Sequence, residues 1–380
     1  MNLKPEEEKL IKLAALFAAE HVMPNAAAWE ASRTWPRESL TAAASAQLTG
    51  LLVPTAHGGK ALSCTAMARV MEELAAADMA FAFALVVHNN LMGNIAKAGS
   101  PSQRERFLPP LMSMDKVGSF LLTEPQSGSD AAVVLTTAVR DGDAWVLNGQ
   151  KAWASNGVGA NTLSVYAQTD PGAGWRGIAC FLVDADSPGV IREPAYELLG
   201  GHALGACGFR FDGCRVDEAD MLTPPGEGFK AAMAGIDIAR ANVAAMCAGM
   251  LKTSINTALR YGNEHGAFGK KLSDFQGLQW QLADVATDRH AARLMAFHAC
   301  EKIDAGEDAA VDAAHAKKFA TRVALSGVSQ CMQAMGANGL KHEYALARHL
   351  AGAKIAQYLD GTTEIQNVVI SRSLNRSQIS

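Results

Sequence analysis

Two segments in the middle of the chain gather hydroxyls, amides and an indole at short range. FLLTEPQSGSD, residues 120–130, sets the Thr123 hydroxyl just before a Ser127-Gly128-Ser129 loop. Glycine permits close backbone approach, so such a loop can contact a polar heterocycle or a thioester chain. Taken alone, it reads first as an ordinary strand-to-loop turn capped by Asp130. LNGQKAWASNG, residues 147–157, places Trp153 two residues before Ser155 at a strand end. An indole there can lie beside a flat cofactor, with a hydroxyl near the cofactor's edge. The alternative is that Trp153 is core packing. A third feature, His88 in VVHNN, is a lone histidine on an apolar helix. It reads as a packed residue, with a noncanonical catalytic role as the rival. GGHALGACG, residues 200–208, imitates a dinucleotide loop but lacks the strand–turn–helix context and the downstream acid.

The elements that must position these groups change in texture twice. Up to about residue 115 the pattern is helical. Pro5 and Glu6, Glu7 and Glu8 open a helix whose apolar face is Leu10, Leu13, Ala14 and Phe17. Further helical stretches are expected over 37–50 and 64–98. From 119 short β-rich runs follow: a strand over 133–139, a turn at Asp141-Gly142, a strand over 145–147, then 162–167, 178–183 and 208–211. After Pro224, Pro225 and Gly226, long Ala-, Leu- and Met-rich stretches cover about 228–264, 274–305, 308–336 and 343–358. These predict an antiparallel bundle. The expected organisation is α+β: an N-terminal helical domain (1–118), a small central β-barrel or sandwich (119–226) and a C-terminal four-helix bundle (227–380).

Composition narrows the function classes. With 380 residues, 49% hydrophobic and 19% charged, the chain can bury a sizeable core. A net charge of −4 with no basic stripe argues against nucleic-acid binding. The acidic start, MNLKPEEEKL, does not read as a targeting peptide, the final RSQIS matches no lipidation or peroxisomal address, and no membrane span is expected. Seven scattered cysteines without a CxxC pair read as reduced, packed thiols rather than a metal site. A cytosolic enzyme is the expectation.

Together, the 120–130 and 147–157 segments resemble the flavin-facing strands of the acyl-CoA dehydrogenase family. YGNEHGAFGKKLSDFQ (261–276), QAMGANG (333–339) and YLDGTTEIQ (358–366) resemble its later motifs, in the same order. The resemblance covers nearly the whole chain and implies FAD as cofactor, an acyl-CoA substrate and an electron-transfer flavoprotein as partner. It also implies a homotetramer, a dimer of dimers serving fatty acid metabolism. Thr123 would bond the flavin pyrimidine, with Trp153 and Ser155 near its reactive edge, and Ser129 would meet the thioester arm. Phe268, Gln276 and Gln333 would reach the FAD of a neighbouring subunit, and Thr362 and Glu364 its adenosine half. Asp237 and Arg240, in GIDIAR, would flank the substrate.

Family chemistry removes a proton α to the thioester while hydride leaves the β carbon, which demands a close carboxylate. Most members carry a glutamate where this chain has Asp360, and some place it where this chain has Ala239. Asp360 is thus the family-aligned base, about 1.5 Å short in reach. Other departures accompany it. His265 stands at the arginine that meets the FAD pyrophosphate, Ala337 replaces the second glycine of Gly-Gly, Leu340 an aromatic, and Ala351-Gly352 an Arg-Asp pair. Rival readings are a non-dehydrogenating acyl-CoA lyase or desulfinase on the same scaffold, and a catalytically silent partner subunit.

Overall fold

A computed structural model describes residues 3–377, so the last three residues of RSQIS lie outside it. Helix α1 (Pro5–Phe17) starts where Glu7 folds back to accept the Lys4 N–H at 2.9 Å. It runs through a π turn at Ala18–Val22 into α2 (Met23–Ala31), where Pro24 cannot donate a helical hydrogen bond. Then come α3 (Arg37–Ser45), α4 (Cys64–Ala75), α5 (Met79–Ala98) and α6 (Pro101–Met112). The expected single stretch over 64–98 is two helices. Asp78 adopts extended backbone and its carboxylate accepts the Phe81 N–H at 2.9 Å, capping α5 afresh. Likewise, the stretch predicted over 37–50 ends at Ser45.

The central region is one mixed sheet. Its strands are β1 (Gly118–Leu121), β2 (Thr137–Asp141), β3 (Ala144–Ala154), β4 (Thr162–Gln168), β5 (Ile178–Asp184), β6 (Val190–Ala195), β7 (Cys207–Asp217) and β8 (Met221–Thr223). They run in the order β6-β7-β3-β2-β4-β5-β8, with β1 parallel to β4. Strand β4 is buried at every position, because Leu163, Val165 and Ala167 face one apolar layer while Tyr166 faces a second, shared with α5 and α6. The β2–β3 turn lies one residue later than expected. Asp141 pairs with Ala144, so Gly142 and Asp143 form the loop, and Gly142 takes the positive φ (64°). Strand β2 begins at Thr137 rather than Val133, because the Leu135 and Thr136 N–H groups are taken by a carboxylate.

The last third is helical: α7 (Gly228–Glu264), a two-residue-per-strand hairpin of β9 (Gly266–Ala267) and β10 (Lys270–Lys271), then α8 (Gln276–Asp304), α9 (Ala310–Ala334), α10 (Leu346–Ala356) and α11 (Thr363–Ser377). Helices α7 to α10 match the expected four, and α11 follows a turn after α10. Buried Glu72 of α4 meets Arg69, Arg289 and Arg293, clamping the N-terminal helices to α8. Helices α5 and α7 are long and apolar enough to cross a membrane, yet 78% and 61% of their most apolar windows are buried inside the protein. All seven cysteines are buried and unbridged.

Candidate active site

The β side of the site is built around a buried ion pair. The Thr123 carbonyl accepts the Ala152 N–H at 2.9 Å, joining the two segments singled out in the sequence. Beside it, the buried Lys151 ammonium donates to Glu124 Oε1 at 2.7 Å and to the Leu122 carbonyl at 3.0 Å. Glu124 also accepts from the backbone of Leu135 (2.7 Å) and Thr136 (2.9 Å) and from the Gln126 amide (2.7 Å). Burial works to raise the Glu124 carboxyl, but Lys151 and these donors outweigh it and hold it below the usual range. Burial draws Lys151 down to about 8, against the pull of Glu124. Such a pair is tolerable only because nearly every lone pair and proton is used. Sequence reasoning missed both residues, although each lay inside a quoted segment. The available signal was a lysine between apolar-facing positions of a strand, hairpin-linked to an acid.

This network sets up the indole. The pairing of β3 with β7 slips between Lys151 and Ala154, a bulge that re-aims the residues within it. Trp153 sits there with φ 59° and is 60% exposed, its ring 4.6 Å from that of Tyr196. The core-packing alternative for Trp153 is therefore wrong. A large aromatic held in left-handed backbone and left uncovered is costly, which is the condition expected where a flat ligand supplies the missing contact. Ser155 is buried and its carbonyl accepts the Ser119 hydroxyl at 2.6 Å, while Thr123 is half-buried and Ser129 exposed. Asn156 anchors the segment to α5 by donating to the Ala84 carbonyl at 2.8 Å.

A second cluster is the turn after α10. Asp360 takes φ 51° and Gly361 φ 92°, so the chain reverses through two left-handed residues. Three helices grip its carbonyls. Arg240 of α7 donates from Nε to the Asp360 carbonyl at 2.9 Å, while its other arm pairs with Asp237 at 2.8 Å. Lys317 of α9 donates to the carbonyls of Gln357 (2.8 Å) and Gly361 (2.6 Å), and Gln366 of α11 to Gly361 (2.9 Å). The Asp360 side chain is left with a buried Oδ2 that has no hydrogen-bond partner. Burial lifts this carboxyl to about 6, with Lys317 and Arg240 opposing the rise and Asp237 adding to it. A carboxylate with fixed backbone, one free oxygen and that acidity is suited to taking a proton near neutral pH. Ala239 is buried and brings no rival carboxylate. Both nitrogens of buried His88 are occupied: Nδ1 accepts the Gly118 N–H (3.0 Å) and Nε2 meets the Leu111 carbonyl (2.8 Å), so it ties α5 to its neighbours. In the 200–208 loop, the Gly201 and His202 amides go to the Glu30 carboxylate.

A third group of residues lies on the surface. Phe268, with φ 54°, tips the β9–β10 hairpin and is 96% exposed. Gln276, Gln333, Ala337, Leu340 and Glu364 are exposed as well, and Thr362 is half-buried. His265 ends α7, stacks on Tyr261 with centroids 3.7 Å apart and holds its Nδ1 3.0 Å from the Tyr261 carbonyl. The Asn338 amide donates to the Tyr261 hydroxyl at 2.6 Å, which brings the 333–339 segment to the same patch. A surface cleft of about 370 Å³ between α6 and β8 contains none of these residues.

Comparison with known proteins bears on the whole chain. Family models for the N-terminal, middle and C-terminal domains of acyl-CoA dehydrogenase match residues 4–115, 119–214 and 226–375. The chain belongs to the acyl-CoA dehydrogenase family. It is 34% identical over 378 residues to the human mitochondrial short-chain specific acyl-CoA dehydrogenase, covering 99% of this chain and 92% of that one. The solved structure of butyryl-CoA dehydrogenase from Megasphaera elsdenii superposes with a TM-score of 0.95 at 32% identity, covering 98% and 99%. A chain solved in work on the electron transferring flavoprotein of Acidaminococcus fermentans also gives 0.95, at 33% identity over 98% and 99%. As a family member the protein is an FAD-dependent oxidoreductase of acyl-CoA dehydrogenation. The uncovered indole of Trp153 and the adjoining Thr123 and Ser155 fit such a cofactor.

Proposed function

We propose that this enzyme introduces an α,β double bond into an acyl-CoA thioester, with Asp360 as the base. The observation that carries this reading is the buried, unpartnered Asp360 Oδ2 on a turn held by Arg240, Lys317 and Gln366. In this reading Thr123, Trp153 and Ser155 hold the isoalloxazine, Ser129 meets the thioester arm, and Asp237 and Arg240 flank the acyl group. FAD supplies the acceptor for the hydride that leaves the β carbon. Asp360 Oδ2 takes the α proton, the C–H electron pair becomes the new C=C bond, and the protonated carboxyl releases its proton to solvent after product leaves. With one methylene fewer than a glutamate, this base requires the substrate to seat about 1.5 Å closer to the turn. The free oxygen favours this chemistry over a silent subunit, which has no use for a buried orphan acceptor.

Exposed Phe268, Gln276 and Gln333 support an assembly in which a second copy completes each FAD site, within a homotetramer. His265, Ala337, Thr362 and Glu364 belong to the same cross-subunit contact with the dinucleotide. Similarity to the Acidaminococcus chain supports an electron-transfer flavoprotein as acceptor. Domain divisions near residues 118 and 226 belong to this reading. The test is anaerobic titration of the purified flavoprotein with a panel of acyl-CoA esters. At least one ester should bleach the oxidised flavin stoichiometrically. Turnover of an ester without bleaching would move the assignment to a lyase-type reaction.

A further inference from the structure

Lys317 lies in the middle of α9 with no exposed side-chain surface, an expensive place for an ammonium. Its hydrogen bonds go to carbonyls: Gln357 at 2.8 Å and Gly361 at 2.6 Å. Those two acceptors stand on either side of Asp360. Gln357 is the residue that ends α10, where helix carbonyls lack intrahelical donors and the dipole is negative. Gly361 immediately follows the base. One ammonium therefore staples both ends of the turn that carries the reacting carboxylate. Arg240 fixes the middle of that turn by its grip on the Asp360 carbonyl.

The titratable groups that act on Lys317 are Asp360 on the turn, Arg240 and the buried Cys247 thiol on α7, and Glu364 at the start of α11. Asp360 is the first of the charges favouring the ammonium, and Lys317 is in turn the first of those favouring the Asp360 carboxylate. A hydrocarbon in its place would take the donor from the Gln357 carbonyl, leave Gly361 held by Gln366 alone, and remove the first of the charges that favour the Asp360 carboxylate.

We propose that Lys317 is a positioning residue for proton abstraction: by bracketing Asp360 it fixes the backbone of the base and keeps its carboxylate ionised, and so controls the rate of α-proton removal rather than the binding of substrate or flavin. This rests on the reading of Asp360 as the base. A misplacement of about 1 Å at a reacting group costs roughly a hundredfold, which sets the size of the effect.

The experiment uses the holoenzyme and, from an acyl-CoA panel, the ester that reduces the wild-type flavin fastest. Lys317→Met, Lys317→Arg and Asp360→Asn are compared by flavin content, by the limiting rate of anaerobic flavin reduction across pH, and by the ester concentration at half-saturation. Lys317→Met should keep its flavin, lose roughly a hundredfold in limiting rate at little-changed half-saturation, and need a pH about one unit higher to reach its plateau. Lys317→Arg should return that acid limb to the wild-type position while remaining slower, since a planar guanidinium cannot meet both carbonyls as the ammonium does. A Lys317→Met enzyme with the wild-type rate and pH profile overturns the proposal, and an inactive Asp360→Asn beside it leaves the base assignment standing. If Asp360→Asn reduces flavin normally, the base reading falls and the proposal falls with it. Should Lys317→Met fail to hold flavin, Lys317→Arg decides. A slower rate at unchanged half-saturation supports the proposal, and either an unchanged rate or a loss confined to half-saturation refutes it.

Discussion

In the proposed reading the β segments around Trp153 and the exposed C-terminal segments hold one cofactor between them, yet they are finished to different degrees within a single chain. Around Thr123 and Trp153 the backbone is held by partners from the same chain, with the buried Glu124–Lys151 pair beside it accepting the Leu135 and Thr136 N–H groups. Around Phe268, Gln276 and Gln333 the side chains stand in solvent. The first region is preorganised by its own packing, so substitutions there act on folding and cofactor together. On the proposed assembly the second gains its partners from another copy, so substitutions there should act on assembly and retention while the fold stands.

The largest expected effect breaks the first region. Lys151→Met would leave Glu124 buried without its cation, a loss of about 3–5 kcal/mol. Denaturant unfolding should show that destabilisation and the purified protein should lack flavin. Full stability with full flavin would mean that the pair is incidental.

Next, Phe268→Ala should leave unfolding of the subunit nearly unchanged, because the ring touches little within its own chain. If the ring anchors a second copy, its removal costs about 2 kcal/mol of association or more. Light scattering should then show smaller species at micromolar concentration, with flavin lost on dilution. An unaltered mass with unaltered flavin would place this surface outside the assembly.

The smallest effect concerns His265. With Nδ1–H given to the Tyr261 carbonyl, the neutral ring offers only a lone pair at Nε2, and phosphate needs a donor. FAD retention on dilution should therefore be weaker than in His265→Arg, whose guanidinium is always charged and can bind phosphate bidentately. Identical dissociation in both proteins would show that His265 does not face the pyrophosphate.

The same contrast explains how much was legible beforehand. The α–β–α order followed from a periodicity that shifts from helical to alternating and back. The base turn was found as a motif because its residues are contiguous, Tyr358 to Gln366. What escaped was long-range. Lys151 pairs with an acid 27 residues earlier, and Lys317 reaches a turn 40 to 44 residues later. Neither spacing has a period, and each lysine alone looks like any other. The break at Asp78 escaped because apolar composition continues across it, whereas the cap depends on one backbone conformation. The exposure of Trp153 depended on a bulge that alternation cannot foretell.

The central claim is that Asp360 takes the substrate's α proton, and Asp360→Asn tests it most directly because asparagine keeps the shape and removes the acceptor. Anaerobic rapid mixing of the flavin-loaded variant with the ester that best reduces the wild type follows loss of the oxidised flavin absorbance. The wild-type rate should fall about tenfold per pH unit below about 6, the range to which burial lifts this carboxyl. The variant should bind flavin normally and be reduced about a thousandfold more slowly, or not at all, at every pH. Reduction of the variant at the wild-type rate would contradict the account.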